Sequence, residues 1–100
     1  MVPRGGDEVA VSVEILMETE AERGWEYVVR VEREGGVTEH RVRLAWVDHE
    51  HLAGGTVPPS RLVEELVKLA VERGVEMPGS VDASTLRRKD PALAGLLPWR

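Results

Sequence analysis

Imidazole and carboxylate stand together at Asp48-His49-Glu50-His51, the sharpest chemical cluster in the chain. These two groups are the usual protein ligands of zinc and related ions. In an extended stretch, His49 and His51 point to one side and can chelate, with Asp48 and Glu50 on the other. The chain holds three histidines, and the third, His40, falls in the apolar phase of a strand. The spacing matches none of the compact zinc patterns. The favoured reading of the cluster is a polar strand end entering a loop. No metal or cofactor is expected, and His49 and His51 stand as the weak candidate ligands.

His40 invites a second chemistry, general-base activation of a nucleophile. The hydroxyls at hand are Ser12, Thr38, Ser60, Ser80, Ser84 and Thr85, and none sits in a nucleophile-elbow context. The plainer expectation is a histidine at the core edge, its second nitrogen on a backbone or carboxylate partner. Gly54-Gly55 before a helix start can cradle an anion on backbone N–H groups. Pro58 and Pro59 remove two of those donors, and no lysine follows as a phosphate loop requires. Arg87-Arg88-Lys89 is the only basic run, with Trp99 and Arg100 close behind it. It offers a contact for RNA or an acidic protein, or simply a helix end, where cations are favoured.

The elements that must position these residues are legible as alternations. Val9, Val11, Val13, Ile15 and Met17 share one face of a first strand over Glu8–Thr19; Leu16 breaks its polar face and signals a twist or a bulge. Trp25, Tyr27, Val29 and Val31 share one face of a second strand over Trp25–Glu34, with Val28 the exception opposite. Gly35-Gly36 suits a tight hairpin. Val42, Leu44 and Trp46, with His40, share one face of a third strand over Val37–Val47. Pro59 opens a helix whose apolar stripe is Leu62, Val63, Leu66, Val67, Leu69 and Ala70, with Gly74 as its stop. Met77-Pro78-Gly79 breaks the chain, Asp82 and Asp90-Pro91 can start short helical turns, and Leu93, Leu96, Leu97 and Trp99 give the tail apolar weight.

The stretch from Trp25 onward resembles a family of small bacterial proteins with no assigned function. The resemblance is carried by Tyr27, Val29, His40, Val42 and Leu44, then Leu52, Gly54-Gly55, Pro59, Leu62-Val63, Arg73, Asp82 and Pro91. In that family a strand ends in an acidic and aromatic segment, a Leu-x-Gly-Gly turn follows, and a Pro-led helix begins. This chain departs from the pattern at Val81, where an aromatic precedes the Asp. His49 and His51 stand where aromatics are expected, and Pro58 where a capping Ser belongs. The resemblance implies a bacterial protein whose tail belongs to the fold, and it brings no activity.

Composition sets the outer bounds. One hundred residues, 42% hydrophobic, support one domain and one core. Residues 1–7 read as a flexible lead-in and residues 8–100 as the domain. The chain has no cysteine, so neither a disulfide framework nor a thiol nucleophile is available. No apolar run approaches the roughly 20 residues of a membrane span, and no secretory leader is evident, which points to a cytoplasmic protein. A net charge of -5 argues against sequence-independent nucleic-acid binding. The absence of Asn and Gln, with abundant Glu and Arg, leans toward a hot-growing host.

The resulting expectation is an α+β fold: a three-stranded antiparallel meander covered by one long helix, with a short helical C-terminal tail. The leading function is a non-enzymatic interaction or regulatory module that binds a protein partner or a second copy of itself. The alternatives are a metal-dependent or hydrolytic enzyme using His40, His49 and His51, and an RNA-contacting accessory protein using Arg87, Arg88 and Lys89. Trp99 joins those three as a candidate interaction residue.

Overall fold

The computed structural model describes residues 11–54 and 56–99. The lead-in 1–7, the first residues of the expected first strand, Gly55 and Arg100 lie outside the described residues. The fold is α+β. Three antiparallel strands come first: β1 (Ser12–Ala21), β2 (Gly24–Arg33) and β3 (Gly36–Ala45). Helices α1 (Trp46–Ala53) and α2 (Pro59–Glu72) follow, then a short strand β4 (Ser80–Asp82), then α3 (Ala83–Lys89) and α4 (Leu93–Leu96). The sheet order is β1-β2-β3-β4, with β4 parallel to β3. The meander is thus extended by a fourth strand that returns after two helices. The expectation of three strands under one long helix is corrected to a four-stranded mixed sheet with four helices among the described residues.

The strand phases of the meander follow from alternation. Tyr27, Val29 and Val31 on β2 and Val42 and Leu44 on β3 are buried on one face. The other face carries charge pairs, including Arg30 to Glu14 at 2.7 Å and Arg41 to Glu26 at 3.4 Å. The register between β1 and β2 slips between Ile15 and Met17. This bulge turns Met17 over to sit opposite Val28 on the outer face, where it is 59% exposed. The expected placement of Met17 with Val13 and Ile15 is corrected by that one extra residue. The same slip explains the apolar Leu16 and Val28 on an otherwise charged face.

β3 ends at Ala45, two residues short of the expected strand, and the chain turns at once into α1. Trp46 therefore leaves the core face and is 57% exposed. Gly54, in the left-handed region at φ 62°, closes α1 by donating its N–H to Glu50 O at 2.9 Å. Pro59 opens α2 at a position where its missing N–H has no helical partner to lose. Leu62, Val63, Leu66, Val67, Ala70 and Val71 form its buried face, and Leu69 is half-buried beside them.

The second half of the chain adds Val81, Ala83, Leu86, Leu93 and Leu97 to the same core. Leu97 and Trp99 pack inward, while Leu96 stays exposed. Gly24 marks the tightest backbone approach: a Cβ there meets Leu44 O at 2.3 Å and Ala45 Cα at 2.9 Å. Only glycine lets the β1–β2 turn lie against the end of β3.

Candidate functional site

His40, Asp48, His49, Arg87, Arg88 and Lys89 are engaged within the fold. His40 is 6% exposed. Its Nδ1 lies 2.8 Å from Pro78 O and its Nε2 lies 2.8 Å from Thr38 Oγ1. A carbonyl only accepts, so Nδ1 carries the proton; in the neutral ring Nε2 then accepts from the Thr38 hydroxyl. The arrangement pins the loop before β4 to β3. It also places a hydroxyl beside an imidazole, as a nucleophile–base pair requires. The group behind the imidazole is a neutral carbonyl, however, without the carboxylate that stabilises an imidazolium in hydrolytic triads. The shallow hollow beside His40 is lined by Val28, Glu39, Arg41 and Gly79, not by Thr38.

His49 and His51 lie on α1, not on an extended strand end. Two residues along a helix are about 200° apart around its axis. The expected strand end entering a loop is corrected to a helix, on which the two rings do not share a side as they would in an extended stretch. His49 donates Nε2–H to Val57 O at 2.7 Å and sets its ring edge-on to Trp25, with centroids 5.4 Å apart. Among the described residues no three His, Asp or Glu side chains gather into a group able to hold a metal.

Asp48 and Arg87, proposed for separate chemistries, pair with each other. Asp48 sits in the first turn of α1 and is 8% exposed; Arg87 reaches it from α3 with a 3.0 Å contact between Nη2 and Oδ1. The rest of the basic run, at the end of α3, also has partners within the fold. Arg88 donates to Thr85 Oγ1 at 3.3 Å and Lys89 to Glu76 O at 3.4 Å. Arg73 and Asp90 form a surface ion pair. Hydrogen bonding from Arg73 holds the Asp90 carboxyl below its usual range, and the same bond raises the Arg73 guanidinium. Trp99 donates its indole N–H to Leu52 O at 2.9 Å, and the Arg61 guanidinium lies 6.0 Å from its ring centre. This bond ties the C-terminal tail to the last turn of α1.

Tyr27 is the exception inside the core. Its hydroxyl is buried with no hydrogen-bond partner of acceptable geometry among the described residues. Burial pushes its phenol above the ordinary value, and the carboxylate of Glu18, brought to the inner face by the bulge, raises it further. Glu18 thus acts on the phenol at close range without a well-formed bond.

An unengaged surface lies at one end of the sheet. Trp46 and Val47, 57% and 72% exposed, stand next to each other at the start of α1. With Ala45 and Arg23 they line an apolar hollow of about 320 Å³. Arg23 occupies the β1–β2 turn with φ 58°, in the left-handed region that a non-glycine residue seldom adopts. Its carbonyl accepts the Trp46 N–H at 2.8 Å, which locks the turn to the β3–α1 junction. Sequence reasoning missed this site because Trp46 continues the phase of Val42 and Leu44. The available signal was Val47, an apolar residue on the opposite phase directly after it.

Comparison with known proteins adds no relative: no family model, curated protein or solved structure matches the chain. Among the described residues no helix is long and apolar enough to cross a membrane.

Proposed function

We propose that this protein is a non-enzymatic interaction module that docks another protein chain through the surface around Trp46 and Val47. One observation carries the reading: a tryptophan and a valine, adjacent in sequence, are held largely in water on a rigid junction. Exposing a large apolar pair forgoes burial worth roughly 25 cal/mol per Å², and clustered exposure of this kind marks docking surfaces. Tryptophan is also among the residues most enriched in binding hot spots.

The engagement of the other candidates supports this choice over the alternatives. His40 and His49 serve as internal straps, which weighs against an enzyme built on His40, His49 and His51. Arg87 neutralises Asp48, Arg88 bonds the Thr85 side chain and Lys89 bonds Glu76 O, which weighs against RNA contact through that run. A different chain is favoured over a second copy. Of the apolar tail residues Leu96, Leu97 and Trp99, only Leu96 stays exposed and the other two turn inward. The β1 edge carries Glu14, Glu18 and Glu20, and pairing it with itself sets like charges together.

The test is affinity capture from an extract of the source organism. Wild-type protein and a Trp46→Ser/Val47→Ser variant serve as baits, with captured proteins quantified by mass spectrometry. Both baits are first shown to melt at similar temperatures, since the substituted side chains are mostly exposed. Loss of specific captured proteins with the variant is expected. An identical captured set with both baits refutes the docking role of this surface.

A further inference from the structure

The hollow is apolar on every side but one. Ala45, Trp46 and Val47 supply carbon surface, and Arg23 of the β1–β2 turn completes a lining that is almost all carbon. Among the described residues no carboxylate pairs with Arg23, as none pairs with Arg33, Arg43 or Arg88, whereas Arg30, Arg41, Arg61, Arg73 and Arg87 each have an acidic partner. In a chain of net charge -5, Arg23 is a cation free of any acidic partner among the described residues and set beside an apolar hollow. The backbone adds a second observation. At φ 58° a glycine or an asparagine meets the turn at lower cost than an arginine. Backbone held in such a region against residue preference clusters at ligand clamps. The walls are also fixed in advance: the Trp46 N–H bond to Arg23 O and the seat of Gly24 on Leu44 and Ala45 hold the two segments together. A preset site loses less ordering entropy on binding.

We infer that the hollow receives a short peptide segment in which an aliphatic or aromatic side chain stands beside a carboxylate. The apolar chain covers Trp46 and Val47, and the carboxylate pairs with Arg23. The volume, about 320 Å³, lies at the lower end of ligand pockets and suits one or two side chains rather than a whole domain. Arginine suits the role because its planar fork matches a carboxylate in two parallel hydrogen bonds. A second copy of the chain fits poorly: a twofold contact centred here brings two Arg23 guanidiniums into one interface. The inference rests on the docking reading of the same surface and narrows it to a partner chemistry.

The experiment selects random peptides displayed on phage against the whole chain. Enriched peptides are resynthesised with a fluorophore and measured by anisotropy, together with versions in which the acidic residue becomes its amide or lysine. The protein is used as wild type, Arg23→Gly, Arg23→Glu and Trp46→Ser/Val47→Ser. Arg23→Gly suits the left-handed backbone, so it removes the cation with the turn preserved. Enriched peptides are expected to join an acidic residue to an aliphatic or aromatic one. The amide version should bind wild type about five- to ten-fold more weakly at low salt. Arg23→Gly should bind acid and amide versions alike, and Arg23→Glu should prefer the lysine version. Equal binding of acid and amide versions by wild type overturns the carboxylate assignment while leaving the docking reading standing. Peptide binding that survives in Trp46→Ser/Val47→Ser overturns both. Failure to enrich any peptide, or light scattering that shows a dimer abolished by the Trp46 variant, overturns the peptide partner.

Discussion

Removing Arg87 should destabilise the protein more than removing Asp48, and the two losses should not add. The pair joins α1 to α3 at 3.0 Å, with side-chain exposures of 31% for Arg87 and 12% for Asp48. Fully exposed pairs contribute about 0.2–1 kcal/mol, while breaking a fully buried pair costs about 3–5 kcal/mol. This pair lies between those limits. In Arg87→Ala the carboxylate is left deep, with little access to water, so a loss of about 2–3 kcal/mol is expected. In Asp48→Ala the longer arginine can swing its head into solvent, which lowers the expected loss to about 1–2 kcal/mol. Part of that smaller loss comes from taking an anion out of the first turn of α1. The coupling between the two should be about 1–2 kcal/mol. For a domain of this size each kcal/mol moves Tm by about 4–8 °C. Urea melts of the wild type, both single variants and the double variant supply the cycle. Arg87→Lys serves as a control that keeps the charge and loses the planar fork. A coupling below about 0.3 kcal/mol would mean the contact is incidental. So would an Asp48→Ala loss larger than that of Arg87→Ala.

Three further outcomes follow from the geometry. Tyr27→Phe removes a buried hydroxyl with no well-formed partner, so its stability at neutral pH should be unchanged or raised by about 1 kcal/mol in denaturant melts; a loss above about 1 kcal/mol would show that the hydroxyl is satisfied after all. The raised phenol also fixes a sign: the folded state holds this proton more tightly, so its contribution is complete below about pH 10 and falls as pH rises further. Wild type should therefore lose stability in alkali faster than Tyr27→Phe, and parallel pH profiles would contradict this. Leu66→Ala, at a buried position in the centre of α2, should cost about 2–5 kcal/mol in the same melts, and a cost below about 1 kcal/mol would mean that α2 does not pack there. Zinc titration by calorimetry on chelator-treated protein should show no stoichiometric binding tighter than about 1 μM. Tight binding lost in His49→Ala/His51→Ala would return the metal reading to the front.

Where side-chain period decides structure, the sequence was sufficient. Tyr27, Val29, Val42 and Leu44 alternate with charged neighbours except at Val28, and the strands and core followed from that. Leu16 was legible as a break because it interrupts the same alternation. The start of α1 was not legible, because its capping position is Ala45 and its first residues continue the strand phase. No capping side chain, proline or glycine announces the change. That one missing signal misplaced Trp46, His49 and His51 together. β4 was illegible for another reason: Ser80-Val81-Asp82 is too short to show a period, and pairing with Arg41, Val42 and Arg43 makes it a strand. The Asp48–Arg87 pair, 39 residues apart, is visible only once α1 and α3 are brought together.

Polar side-chain links tie the two halves of the chain at His40 to Pro78, Asp48 to Arg87, and Leu52 to Trp99, across 38, 39 and 47 residues. The meander needs no such reach, since two-residue turns join its strands. Folding is thus divided by loop length. The hairpins close early and locally, while β4, α3 and α4 arrive after long closures whose entropic cost grows only with the logarithm of length. The reverse path is not divided in the same way. A bare meander with an uncovered apolar face has little stability of its own. Release of the second half therefore exposes Val42 and Leu44 and takes the sheet with it. The Arg41 amide, bonded to Gly79 O at 2.8 Å across that seam, belongs to the slowest class for hydrogen exchange, opening only when the whole molecule opens.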